Sequence, residues 1–280
     1  MRSDPVLSVR HLRITLGQHT LVDDLSFEVM PGERVCLLGA SGSGKSLTAK
    51  AVLGLLPPHT RVTGRILLHG RDIIDLPAAQ RRNESRISMV FQDSLSALNP
   101  LVSIGAQLRE PFIQHHQLSR RAATQAAAAL LASLHLPDPE GLMKRSPAEL
   151  SGGQRQRVGI ALAMACKTSL LVADEPTTAL DVVTQAQVLD ALQAQTERSG
   201  SAMLFITHDL HAAAQLCQRA IVIEHGRVIE SGELGTLMTM PQHPFTQSLV
   251  AAAHGIEPSA VSSQRATPDP TMPPYLLKSA

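Results

Sequence analysis

Aromatic side chains are nearly missing from this chain: five Phe, one Tyr and no Trp make up 2% of its 280 residues. A surface that stacks nucleic-acid bases needs several, so composition argues against a nucleic-acid partner. Charge points the same way, since 25 Lys and Arg against 24 Asp and Glu leave a net charge of +1 and no basic field for a polyanion. Cysteine is scarce as well. Cys36, Cys166 and Cys217 are far apart and odd in number, which fits reduced thiols and neither a disulfide framework nor a zinc site. No apolar run approaches the ~20 residues that cross a bilayer. The start, residues 1–10, lacks the apolar stretch of a signal peptide. Work at a membrane would need another chain to hold this one there. The 44% hydrophobic content is ample for a buried core, in one large domain or two lobes.

Against that background one octapeptide stands out: Gly39-Ala40-Ser41-Gly42-Ser43-Gly44-Lys45-Ser46, a complete P-loop. It follows the apolar run Val35–Leu38 and precedes a helix-compatible stretch, Leu47–Leu56. Strand, glycine loop and helix in that order are the context the motif needs. Without Cβ atoms the loop can wrap tightly enough for its N–H groups to converge on phosphate oxygens. Lys45 would reach the β- and γ-phosphates and the Ser46 hydroxyl would sit on Mg²⁺. The expected nucleotide-binding run is therefore 39–47, with Leu47 its last member. A chance glycine-rich turn is the bland alternative, and the flanking pattern outweighs it.

Alternation predicts strands at Val6–Ile14, Ser26–Val29 and Val62–Leu68. After Gln92 the texture turns helical, at Ser103–Gln114 and the alanine-rich Arg120–Leu136, the latter closed by Pro137 and Pro139. A helix at Gly153–Ala165, a strand at Ser169–Ala173, a helix at Val183–Glu197 and a strand at Ala202–Thr207 follow. Then come a helical stretch at Leu210–Cys217 and a hairpin, Ala220–Glu224 with Arg227–Glu230, turned at His225-Gly226. From about Pro258 the chain is rich in Pro, Ser and Thr and reads as a loose tail.

Two further motifs complete a set. In Leu150-Ser151-Gly152-Gly153-Gln154 a serine and two glycines open a helix and present free N–H groups to an anion, although an ordinary Ser N-cap reads the same alone. Leu170-Leu171-Val172-Ala173-Asp174-Glu175 is an apolar strand ending in two carboxylates. Asp174 there can hold Mg²⁺ and Glu175 can polarise the attacking water.

In this order, the P-loop, Gln92, Leu150–Gln154, Leu170–Glu175, Ala179-Leu180-Asp181 and Thr207-His208-Asp209 resemble the ATP-binding subunit of ABC transporters over about residues 6–235. The resemblance implies an α/β fold: a RecA-like P-loop core with an antiparallel β subdomain and an inserted helical signature subdomain. It divides the chain into core (1–92 and 161–235), helical insert (93–160) and C-terminal extension (236–280), the last ~20 residues disordered. It also implies roles. Gln92 contacts Mg²⁺ and the water, with Ser46 and Asp174 as the other metal contacts. His208 hydrogen-bonds the γ-phosphate, and Asp181 lies at a dimer seam. The loop Ser151, Gly152, Gly153 and Gln154 binds the γ-phosphate of a facing subunit. A second ATPase subunit, identical or not, is therefore required.

A finer likeness lies in Leu53-Gly54-Leu55-Leu56-Pro57, Leu98-Asn99-Pro100, Pro176–Val182 and His243-Pro244-Phe245-Thr246, which look like the oligopeptide, dipeptide and nickel importer branch. That branch implies two permease chains, an extracytoplasmic solute-binding protein and a peripheral location on the cytoplasmic face of the inner membrane. No cysteine follows Cys217, which excludes the iron–sulfur cluster many members carry and leans toward nickel or metallophore cargo. The permease is expected to meet Gln92 and residues 93–100 through Leu95 and Leu98. Where family members stack adenine on an aromatic residue, this chain has Leu16, with His19 nearby as a substitute. The 12 histidines, including His115-His116 and His208/His211, lack partners at ligand spacing, so no further metal site is expected. Arg155-Gln156-Arg157 reads as the solvated face of a helix. An accessory ATPase of a carbon–phosphorus lyase complex is the alternative function. A DNA-repair or ribosome-acting protein falls away for want of a coiled-coil insertion or a second cassette.

Overall fold

The computed structural model describes residues 4–81, 87–93, 97–178 and 180–254. Leu95, Ala179 and the tail from Pro258 lie outside them. Among the described residues two sheets form the frame. One is antiparallel, built from β1 (Leu7–Leu16), β2 (His19–Val29), β4 (Thr60–Leu68) and the short β5 (Arg71–Asp72), in the order β2-β1-β4-β5. The other holds β3 (Arg34–Leu38), β6 (Ile87–Val90), β7 (Leu170–Asp174), β8 (Ala202–Thr207), β9 (Arg219–Glu224) and β10 (Arg227–Glu233). Its order is β10-β9-β3-β8-β7-β6, parallel from β9 to β6 with β10 antiparallel at the edge.

The parallel strands are covered on both faces, as continuous apolar runs such as Leu170–Ala173 require. Alternate side chains divide between two cores. Leu170, Val172, Leu204 and Ile206 pack with the antiparallel sheet and with α1 (Lys45–Leu53). Leu171, Ala173, Met203 and Phe205 pack with the helices on the opposite side. This period of two is what fixes strand register when each face meets a different layer.

Between β6 and β7 run α2 (Ile104–His116), α3 (Arg120–Ser133), the one-turn α4 (Pro139–Leu142) and α5 (Gly152–Ala165). Ser103, Ser119 and Ser151 N-cap the three longer ones, each hydroxyl accepting from a backbone N–H in the first turn. Then α6 (Val182–Ser199), capped by Asp181 and closed by Gly200 at φ +67°, leads to β8, α7 (Leu210–Leu216) and β9. Past β10 the chain forms α8 (Leu234–Thr239) and α9 (Pro244–Ala253), and α9 packs on α7.

The sequence pattern had placed a strand only at 26–29 in the region that β2 fills. Thr20, Asp23 and Asp24 hide the rest, and Asp24, at φ +58°, interrupts the alternation with a register shift. Leu98, expected on the surface, is 5% exposed and belongs to the core around the α2–α5 helices. Leu101, three residues on, is 92% exposed.

Candidate nucleotide site

The P-loop joins β3 to α1. Gly44 sits at φ +99°, and a Cβ there would lie 2.9 Å from Val22 Cγ2 and 3.0 Å from the Leu21 carbonyl, so only glycine fits. The turn between β9 and β10 holds the loop from outside. Gly226 N–H donates to the Ser43 carbonyl at 3.1 Å, and its own carbonyl accepts from Asp23 N–H at 2.8 Å. Lys45 is buried and arches back, Nζ donating to the Gly39 and Ala40 carbonyls at 2.8 and 2.7 Å. Burial pushes its pKa down, against the pull of the Glu175 and Asp174 carboxylates.

Ser46 Oγ donates to Asp174 Oδ1 at 3.0 Å, so the first turn of α1 meets the end of β7. Asp174 is buried, and burial raises its pKa, with the Glu175 charge adding and the Ser46 hydrogen bond opposing. A hydroxyl and a carboxylate side by side are the hard oxygen donors that Mg²⁺ takes alongside phosphate oxygens.

Glu175 leaves the strand at φ +45°, a left-handed conformation that costs a non-glycine residue about 1–3 kcal/mol. Its N–H donates to the Ile206 carbonyl at 2.9 Å. Its carboxylate gathers three side chains: Thr178 Oγ1 donates to Oε2 at 3.1 Å, Gln92 Nε2 donates to Oε2 at 3.4 Å, and His208 Nδ1 lies 3.1 Å from Oε1. Gln92, Glu175 and His208, expected to act together, are thus in mutual reach. Thr178 was not singled out in the sequence, although it stands three residues from Glu175.

Other expected residues sit apart from this cluster. Ser151 and Gln154 form a capping box on α5: Gln154 N–H donates to Ser151 Oγ, and Ser151 N–H donates to Gln154 Oε1. Asp181 accepts from Thr184 N–H and Oγ1. Leu16 ends β1, half-buried and paired across the hairpin with His19. The Arg155-Gln156-Arg157 run is not a solvated face. Gln156 is 2% exposed, Arg155 donates to the Leu150 carbonyl, and Arg157 reaches the His135 carbonyl at 2.9 Å. Polar side chains here answer backbone carbonyls, that of Pro176 in a buried bond, a use that composition does not reveal.

A glycine-rich loop leading from β3 into α1, with a hydroxyl–carboxylate pair and a second carboxylate at the end of β7, defines a P-loop nucleoside triphosphatase. The profile of the ABC transporter family matches residues 22–178, and the chain belongs to that family as an ATP-hydrolysing member. It is 38% identical to the oligopeptide transport ATP-binding protein OppD of Escherichia coli K12, over 99% of this chain and 83% of that one. It is 37% identical to the dipeptide transport ATP-binding protein DppD of Bacillus subtilis 168, over 98% and 83%. The peptidoglycan transport ATP-binding protein YejF of Agrobacterium fabrum is 43% identical over 91% of this chain, which spans only 48% of that longer protein. Among solved structures, an ATP-binding subunit of an ABC transporter superposes with TM-score 0.70 at 27% identity, over 83% of this chain and 91% of that one. The dimeric bacterial cassette MJ0796, in a post-hydrolysis state with ADP and Pi, superposes with TM-score 0.70 at 26% identity, over 81% and 98%.

Proposed function

We propose that the chain is one of two ATPase subunits powering a peptide importer. The likeness to OppD across 99% of the chain carries the reading. The relatives named above bear peptide and peptidoglycan names, which favours that cargo over nickel and a transport role over a carbon–phosphorus lyase accessory.

ATP lies along the P-loop with Lys45 on its β- and γ-phosphates. Ser46, Asp174 and Gln92 would hold Mg²⁺, which would supply neutralisation of developing phosphate charge. Glu175 takes the proton of the attacking water, and His208 donates to the γ-phosphate. The first N–H groups of α5, at Gly152 and Gly153, lie outside this cluster with the Ser151 hydroxyl, and their place is on the γ-phosphate of the facing subunit, with Asp181 at the seam. Two chains closing face to face thereby complete two sites.

Among the described residues no helix is long and apolar enough to cross a membrane, so transport needs permease subunits. A groove of about 420 Å³ lined by Leu53, Leu55, Ala78, Arg81, Ile87 and Phe91 suits a short permease helix. Phe91 immediately precedes Gln92, so a helix seated there bears directly on the residue that touches Glu175. The assembly includes an extracytoplasmic solute-binding protein and keeps this chain on the cytoplasmic face of the inner membrane.

The test is uptake of a labelled oligopeptide into vesicles reconstituted with permeases, cassettes and binding protein. ATP-dependent accumulation that Lys45→Ala abolishes is expected. Accumulation of a nickel chelate but no peptide would overturn the cargo assignment.

A further inference from the structure

We infer that Gln156 is a positioning residue for hydrolysis, tying the helix that begins beside Ser151 to the turn that carries Glu175. Gln156 lies in the first half of α5, and its Nε2 donates to the Pro176 carbonyl at 2.9 Å in a buried bond. Pro176 directly follows Glu175. The turn is otherwise held by its own chain and by the core: Glu175 N–H to the Ile206 carbonyl, Thr178 Oγ1 to Glu175 Oε2, and Leu180 N–H to the Thr177 carbonyl. Gln156 adds a hold from the helical layer.

Gln156 satisfies the buried Pro176 carbonyl, which an apolar residue of the same size would leave without a donor. The amide also adds direction, since a displacement of α5 pulls on one peptide unit next to Glu175. Glu175 already occupies the sparsely populated left-handed region at φ +45°, so a small backbone rotation re-aims its carboxylate. That carboxylate receives the proton of water as the water oxygen bonds to the γ-phosphorus and the bond to the β-phosphate oxygen breaks, leaving ADP and inorganic phosphate. The same helix opens with the Gly152 and Gly153 N–H groups, so engagement of the facing subunit's nucleotide reaches the water-activating group through Gln156.

The inference rests on Glu175 as the general base, and the experiment separates the two. In the full chain, assembled with unaltered partners, turnover is measured for Gln156→Glu, Gln156→Met and Glu175→Gln, each normalised to ATP-binding sites counted by nucleotide titration. Both Gln156 variants keep the side-chain length; Met has no donor, and Glu has none while ionised. Turnover per site is expected to fall about fivefold or more, with the KM for ATP within about twofold of the original. A smaller fall, a KM that rises in step with the loss, or variants that bind no ATP would make Gln156 a structural tie and overturn the inference. Undiminished turnover in Glu175→Gln would instead remove the general-base assignment on which it stands.

Discussion

Ser46 Oγ donates to Asp174 Oδ1 at 3.0 Å across 128 positions of sequence, joining the phosphate loop to the strand-end carboxylate. That contact turns two separate motifs into one binding site. It also buries a carboxylate whose pKa is raised chiefly by burial, beside a lysine whose pKa burial lowers. The phosphate site therefore carries charge that the nucleotide-free fold must accommodate.

Asp174→Asn should stabilise the nucleotide-free protein while disabling it. The gain is expected at about 1 kcal/mol, roughly 2–4 °C in Tm, with Mg²⁺-dependent ATP hydrolysis lost. The pH dependence has a definite sign. A carboxyl whose folded pKa is raised contributes stability fully below its ordinary value of 3.8 and loses it as pH rises through the raised value. The advantage of Asn over Asp should therefore grow from acid toward neutral pH and then level off. Thermal melts across that range read it, and an advantage independent of pH would contradict it.

Gly226 is a second point of leverage. At φ +76°, a Cβ would lie 2.7 Å from the Leu21 carbonyl and 2.9 Å from Val22 Cα. Gly226→Ala is expected to cost about 1–3 kcal/mol and, by displacing the Ser43 carbonyl, to weaken ATP binding. Denaturant unfolding and nucleotide titration measure the two effects separately.

In the proposed site the base meets Leu16, which offers apolar contact in place of stacking, so base recognition should be loose. Leu16→Tyr is expected to tighten ATP and GTP alike, by about 1–3 kcal/mol. Titration of both nucleotides checks it; a strong adenine preference in the unaltered protein would assign the base to another group.

The motifs were legible in sequence because their chemistry is local. Glycines at fixed spacing, a serine opening a helix and carboxylates ending an apolar strand each state their geometry in a few residues. The support around them was not legible. The Gly226 hold on Ser43 depends on how a distant hairpin meets the P-loop. Gln156 was hidden by its neighbours, since Arg155 and Arg157 make the run look solvated when all three side chains answer carbonyls. Leu98 looked available for a partner because the sequence does not say how closely α2 to α5 pack around it. The short edge strand β6, four residues long, gave too little alternation to be seen.

The most direct measurement pairs the oligomeric state with turnover in Glu175→Gln. The variant should bind ATP with unaltered affinity, hydrolyse it about 10²–10⁴-fold more slowly, and accumulate a closed cassette dimer once ATP is added and the partner site is also silenced. Near-normal hydrolysis, or cassettes that stay apart in saturating ATP, would contradict a composite site in which Glu175 activates water between two closing subunits.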